Sequence, residues 1–315
     1  MKKLLYSLIA GITLTVSLTG CGSDDITLGP DEADQWLHPY GATAADQSLQ
    51  TSFYDETGIY LLFNDTLRKK QVATNPDGTP FYDIETVDLS YYMIGSSGNL
   101  REVFSYDYLT TDADKQAAVS FVQQQVLPHL SGDLLPFSIL LVNGITMYSG
   151  SNPSYMTKST PTAFSGYRCT ALATSGIADM TDAQKLTARN NILQTIINGK
   201  LSSLPDDTFD AFYAPSGAYY STYAMNAAAV AFFEVNPQPM NIGLLDTGGA
   251  YYRWTPTGSL IIYNIKAKNF DLEDYTTALF SYTEEEFTQK YGDYPIVMEK
   301  YHLLKQIYTD LGVVF

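Results

Sequence analysis

The chain is expected to fold as an α+β protein, on three observations. Apolar runs of strand length lie in its first half, at Gly58-Ile59-Tyr60-Leu61-Leu62-Phe63 and at Phe137 to Val142. Apolar residues at helical spacing dominate the stretches from Thr181 to Asn198 and from Asp271 to the C-terminus. No internal repeat is present, which argues against a solenoid or a propeller.

Lys2 and Lys3 open the chain with positive charge, and Leu4 to Val16 is an apolar run broken only by Ser, Thr, Gly and Tyr. Leu18-Thr19-Gly20-Cys21 closes it with two small residues before a cysteine. A secretory signal peptide has this layout. At roughly 15 residues the run is short for a membrane span of about 20. The four closing residues resemble a bacterial lipoprotein lipobox. The resemblance implies lipidation of Cys21, cleavage before it and acylation of the new amine. Two or more acyl chains make a stable membrane anchor, whereas one is marginal. Gly22-Ser23-Asp24-Asp25 follows, and it is similar to the acidic export signal of Bacteroidetes surface lipoproteins. The domain plan is therefore a signal peptide over 1–20, an acidic tether over 21–35 with Gly29-Pro30-Asp31 as a breaker, and one globular domain over 36–315. A sub-boundary is marked near 150–165.

Along that domain, Asn64-Asp65 ends the first strand and Asn75-Pro76-Asp77-Gly78 is a turn. Residues 84–94 read as extended, with Val87, Leu89, Tyr91 and Met93 on one face. A helix starts at Asp112, capped by Thr111 or Asp112, with Ala117, Ala118, Phe121, Val122, Gln125 and Val126 at helical spacing, and Pro128 ends it. Phe137 to Val142 suits a central strand, and Asn143-Gly144 a tight turn into Ile145 to Tyr148. Residues 149–163 read as loop. Tyr167 to Leu172 alternates like a strand, and within it Cys169 reads as a buried small hydrophobe. Thr181 and Gln184 form a capping box for a helix with Leu186, Ile192, Leu193, Ile196 and Ile197 as its stripe and Gly199 as its C-cap. Ala227 to Val235 is apolar and fits helix or strand. Asp271 to Tyr282, a helix beginning at Thr283-Glu284-Glu285-Glu286, and a last helix opened by Pro295 complete the chain. The last carries Met298, Tyr301, Leu304, Ile307, Tyr308 and Leu311 on one face.

The chain has 18 basic and 34 acidic residues, a net charge of −16. Removal of residues 1–20 takes two lysines and no acid, leaving −18. That field repels nucleic acid and anionic head groups, so nucleic acid is excluded as a partner and attachment is expected through the lipid. Tyrosine stands out at 25 residues against 15 Phe and 2 Trp. A tyrosine ring with a polar tip suits half-wet packing, and it equally suits contacts to sugars or peptides.

Catalytic signatures are missing. The sequence has no G-x-S-x-G, no P-loop and no G-x-G-x-x-G. A single Asp246-Thr247-Gly248 reads as a glycine-rich turn. Three histidines, His38, His129 and His302, lie in distant segments. With 34 acids, no carboxylate pair for glycoside hydrolysis stands out from the rest.

The element order, with Asn269-Phe270-Asp271-Leu272-Glu273-Asp274-Tyr275, Thr283-Glu284-Glu285-Glu286-Phe287, Tyr294-Pro295-Ile296 and Lys300-Tyr301-His302-Leu303-Leu304-Lys305, resembles the zinc-binding metallopeptidase lipoproteins of Bacteroidetes. The resemblance implies a zincin-like fold with a small mixed sheet and a helical C-terminal region. It also implies H-E-x-x-H on the helix at 181–198, where two histidines four apart would share one face and hold Zn²⁺. That helix here reads Arg189-Asn190-Asn191-Ile192-Leu193-Gln194 and has neither His nor Glu. The expectation is a lipoprotein of the outer membrane or cell surface, without metal, cofactor or catalytic residues, acting as a metallopeptidase-like pseudoenzyme that binds a protein or glycan. Its membrane partner is engaged through Cys21. Two alternatives stay open: a glycan-binding lipoprotein of a polysaccharide-uptake system, and a hydrolase with an unrecognised site. The candidate ligand-binding aromatics are Tyr219, Tyr220, Tyr251 and Trp254, drawn from a set with Phe212, Tyr213, Tyr223 and Tyr252. They are expected to line one shared concavity.

Overall fold

Apolar strands covered on both faces form the centre of the fold. The computed structural model describes residues 30–87, 89, 101–150, 155–201, 204–220, 239–246, 250–255, 258–263 and 266–315, with the backbone alone for 30, 31, 101, 250–255 and 258–263. The chain divides into two compact units, Met1–Asp34 and Gln35–Phe315. Of the first, residues 30–34 are described and belong to helix α1 (Pro30–Leu37). That helix begins inside the stretch read as tether. A proline at the first helical position lacks only an N–H that would be unpaired there anyway.

In the second unit the elements run α2 (Ala44–Thr57), β1 (Tyr60–Leu62), β2 (Thr66–Thr74), β3 (Pro80–Thr86), β4 (Arg101–Asp107), α3 (Asp112–Phe121), β5 (Ser138–Val142), β6 (Gly144–Gly150), β7 (Thr157–Ser159), β8 (Ala163–Ser165), β9 (Thr170–Ala173), α4 (Asp182–Leu201) and α5 (Asp210–Tyr213). After these come β10 (Ala250–Thr255), β11 (Gly258–Tyr263), α6 (Lys268–Ser281), α7 (Glu284–Tyr291) and α8 (Pro295–Leu311). The architecture is mixed α+β with small sheets. The central sheet has the order β1-β5-β9-β8. Its first two pairings are parallel and the last antiparallel. Every residue of β1 and β5 is buried, as parallel strands covered on both faces require. Asn143-Gly144 does not close a hairpin. It carries the chain out of this sheet into β6, which pairs with β4 and β7 in a separate antiparallel sheet. β7 also places regular structure inside 149–163, where loop was expected.

Residues 75–78 do form the expected turn, which joins β2 to β3. Gly78 there takes φ +84°, and Asp77 Oδ1 accepts from the Thr79 amide at 2.9 Å. Helix α3 begins at Thr111, whose Oγ1 accepts from the Asp114 amide at 3.1 Å. It leaves α geometry earlier than expected. Val122–Val126 is a π-helical turn and Leu127–His129 a 3-10 turn. Pro128 lacks the N–H that would extend the ladder.

Helix α4 has the expected capping box, with Thr181 N to Gln184 Oε1 at 2.9 Å and Gln184 N to Thr181 Oγ1 at 3.3 Å. Ile192, Leu193, Ile196 and Ile197 are buried, whereas Leu186 is exposed and is not part of the stripe. Gly199 is not the C-cap, because the helix runs on to Leu201. It lies where helix and β8 meet. A β-carbon there would stand 3.2 Å from Ser165 Cβ, so the missing side chain lets the two elements approach.

Helix α7 has the Thr283/Glu286 capping box, and α8 opens on Pro295. One core joins β1, β5 and β9 to α3, α4, α6, α7 and α8. Tyr275, Tyr301 and Tyr308 are among its largest fully buried side chains. Tyr275 donates to the Gly243 carbonyl at 3.0 Å, and the Tyr308 hydroxyl pairs with Thr276 Oγ1 at 2.6 Å. Part of the tyrosine excess is therefore core, with each of these two polar tips satisfied.

Candidate functional site

Helix α4 meets α6 through polar residues in its middle turns. Asn190 is buried, and its Oδ1 accepts from Arg189 Nε at 3.0 Å and Nη2 at 2.8 Å. Arg189 Nη2 also donates to the Phe280 carbonyl on α6 at 3.2 Å, and Gln194 Nε2 donates to Thr277 Oγ1 at 3.3 Å. These polar groups hold one helix to the other. Asp271 stands six residues before Thr277, about 9 Å along α6, and pairs with α8 instead. His129 lies between Arg189 Nη1 at 3.3 Å and the Val314 carbonyl at 2.8 Å, while His302 pairs with Glu284 at 3.3 Å. Among the described residues, no group of three His, Cys, Asp or Glu is placed to hold a metal ion. If the zinc site is lost, purified protein is expected to carry no stoichiometric zinc and to keep its Tm in the presence of EDTA, because no metal binding would then be linked to folding. Metal analysis after dialysis checks this; about one zinc per chain would contradict it.

The second polar constellation centres on a buried ion pair. Lys300 on α8 and Asp271 on α6 are 0% and 1% exposed, with Nζ 2.5 Å from Oδ2. Nζ also donates to the Gly243 carbonyl at 2.8 Å and Ser216 Oγ at 3.0 Å, and lies 3.2 Å from the Tyr220 hydroxyl. Tyr220 donates to the same Asp271 oxygen. Rings of Phe212 and Tyr275 face the ammonium at 4.5 and 4.8 Å. Burial pushes Asp271 up and Lys300 down in pKa, and their mutual attraction opposes both shifts. Asp271 Oδ1 is buried without a hydrogen-bond partner. Gly243 closes the cluster at φ +77°, where a β-carbon would stand 2.5 Å from Ile296 Cγ2. Ser216 and Lys300 are within hydrogen-bond distance, as in a Ser–Lys dyad, yet Ser216 is fully buried and donates to the Ile242 carbonyl at 2.7 Å. The arrangement ties α6, α8 and the 214–220 and 239–246 segments together.

Of the described aromatics expected to form a platform, only Phe212 is placed where it cannot serve. Phe212 is fully buried core. Tyr219 and Tyr220 are half-buried against Ile242 and Leu244, and Tyr220 is committed to the Asp271–Lys300 cluster. Tyr251 and Trp254 fall on β10, with side chains outside the described residues, as does the whole of Tyr223. Ala227 to Val235, Asp246-Thr247-Gly248 beyond its first residue, and Cys21 are likewise outside them.

A cleft of about 660 Å³ opens where the parallel strands β5 and β9 begin. Phe137, Phe164, Tyr167, Arg168, Ile196 and Lys200 are among its lining residues. The β8–β9 hairpin turns through Gly166–Cys169, with the Gly166 amide donating to the Cys169 carbonyl at 2.9 Å. Gly166 is required there because a β-carbon would stand 2.5 Å from the Leu89 carbonyl oxygen. Fully buried Ser138 fixes the next residue but one by donating to the Arg168 carbonyl at 2.8 Å. Tyr167 is 77% exposed at the tip. The Arg168 guanidinium lies 4.9 Å from the Trp36 ring and 5.3 Å from that of Phe137. Its Nε is buried without a hydrogen-bond partner, and it makes no ion pair among the described residues. Lys200, by contrast, faces Asp133 at 3.9 Å. Cys169 also lines the cleft, where burial pushes its thiol up to about 12 and so opposes the thiolate form.

Neither protein-family models, nor curated proteins, nor solved structures give a match to this chain. The alternation of Tyr167 to Leu172 suggests one strand and so hides the cleft residues, because the turn occupies Gly166–Cys169 and β9 begins only at Thr170. The signal was Ser165-Gly166, a small residue and a glycine just before Tyr167-Arg168, which places that pair on a turn.

Proposed function

We propose that this chain is a lipid-anchored binding protein of the outer membrane or cell surface, held through Cys21, with its ligand seated in the Arg168 cleft. The scaffold is proposed to be zincin-like and to have lost its zinc site. Support for that comes from α4, which has no His or Glu and whose Asn190 and Gln194 are engaged with their neighbours. The observation that carries the binding reading is Arg168. It is an arginine within cation–π distance of two aromatic rings, with a buried unpartnered Nε, and it lines a cleft of ligand size. The interior Lys300 is saturated by its own acceptors and offers a ligand nothing.

A thermal-shift screen of the detergent-solubilised mature protein against oligosaccharides and peptides tests this reading. Ligands that bind the native state raise Tm by mass action. The expected result is a class of compounds that stabilises the wild type and not Arg168→Gln. Equal stabilisation of both proteins would move the site elsewhere.

A further inference from the structure

We infer that the cleft takes a short sugar chain bearing one carboxylate, with the acid on Arg168 and a pyranose face on Tyr167. The inference rests on the cleft being the ligand site. Arg168 sets the charge of the ligand. Its planar fork of N–H donors matches a carboxylate in a two-bond pair, and cation–π contacts with Trp36 and Phe137 at 4.9 and 5.3 Å limit its freedom before any ligand arrives. The remaining charges near it are already matched, since Lys200 faces Asp133 and Glu102 has an interaction of its own. Arg168 is thus the lining cation that a ligand carboxylate would complete.

Tyr167 sets the shape. A ring 77% exposed on a short hairpin turn gains nothing from burial in its own fold. The turn is closed by the Gly166–Cys169 hydrogen bond and pinned by Ser138, so little ordering is needed for the ring to act. A flat aromatic face suits the C–H face of a pyranose. Lys200 and Asp133 at the same cleft supply a donor and an acceptor for hydroxyl groups. The net charge of −16 limits the number of acids. A polyuronate would meet that field along its length. A single carboxylate on Arg168 lies well inside the screening length of about 8 Å at physiological salt, where the local cation dominates.

Calorimetric titration of the detergent-solubilised mature protein tests the inference. The probes are xylotetraose carrying one glucuronic acid, unsubstituted xylotetraose, oligogalacturonate and a short glutamyl peptide. The singly acidic sugar is expected to bind most tightly. Its affinity should fall about tenfold or more in Arg168→Gln and in Tyr167→Ala, the loss of one charge-assisted pair or one ring contact. Tm values of the variants check folding, and Arg168→Lys serves if Arg168→Gln does not fold. Equal affinity for the neutral sugar, lost in Tyr167→Ala but indifferent to Arg168→Gln, would overturn the acidic specificity and leave the cleft standing. Tighter binding of the peptide would replace sugar with peptide in the same cleft. Sugar binding untouched by either variant would remove both the inference and the cleft. No binding by any sugar would overturn the inference while the broader screen still tests the cleft.

Discussion

Lys300→Met and Asp271→Asn are each expected to destabilise the fold by about 3–5 kcal/mol, the usual cost of leaving one member of a buried ion pair without the other. That is a large share of the roughly 5–15 kcal/mol by which domains are stable. The geometry sets the size of the effect. Lys300 Nζ has Asp271, the Gly243 carbonyl and Ser216 around it, and water does not reach either partner. In Lys300→Met the carboxylate keeps only Tyr220 as donor. In Asp271→Asn the ammonium keeps neutral acceptors alone. The double variant removes both charges and retains an acceptor for Tyr220, so it is expected to be more stable than the two single losses added together. Urea unfolding of the four proteins measures this. Strictly additive losses would show that the two residues act independently and that the cluster does not bind α6 to α8 in the way described.

Cys21→Ala is expected to abolish membrane attachment or to leave the precursor uncleaved. On the proposed anchor the effect is all-or-none, because acyl chains and not the protein surface would supply the affinity. Among the described residues no helix is long and apolar enough to cross a membrane, and the net charge of −16 opposes electrostatic adsorption to anionic lipid. Palmitate labelling, with mass spectrometry of the mature N-terminus, checks this expectation. An unmodified start at another residue would contradict it.

The helical half of the fold was legible because its boundaries are written locally. Thr181 with Gln184, Thr283 with Glu286, and Pro295 each stand at a helix start, and capping chemistry needs only neighbours three residues away. The β2–β3 hairpin showed only its turn. Arg68, Lys69, Lys70 and Gln71 give β2 no apolar alternation, and most of the hairpin faces solvent. The π-helical turn after α3 was hidden because Val122 and Val126 also fit α spacing. Lys300 was read past because charge suggests a solvated face. Its position, four residues before Leu304 and eight before Tyr308, puts it on the buried stripe of α8. What makes that burial tolerable is Asp271, on another helix 29 residues earlier, and no local pattern announces such a pair. Arg168 is hidden in the same way, since its aromatic partners Trp36 and Phe137 lie far away in the chain.

The binding cleft is the central claim, and amide hydrogen exchange with a saturating ligand from the stabilisation screen tests it most directly. Bound ligand slows exchange where it orders or covers backbone, and distant elements keep their rates. Protection is expected in the segments that line the cleft, 133–137, 164–170 and 196–200, and not at the α4–α6 contact around Thr277 or in the Ser216–Tyr220 turn. Protection confined to the Ser216–Tyr220 turn and Gly243, with the 164–170 hairpin unchanged, would contradict the account and place the ligand at the aromatic cluster instead.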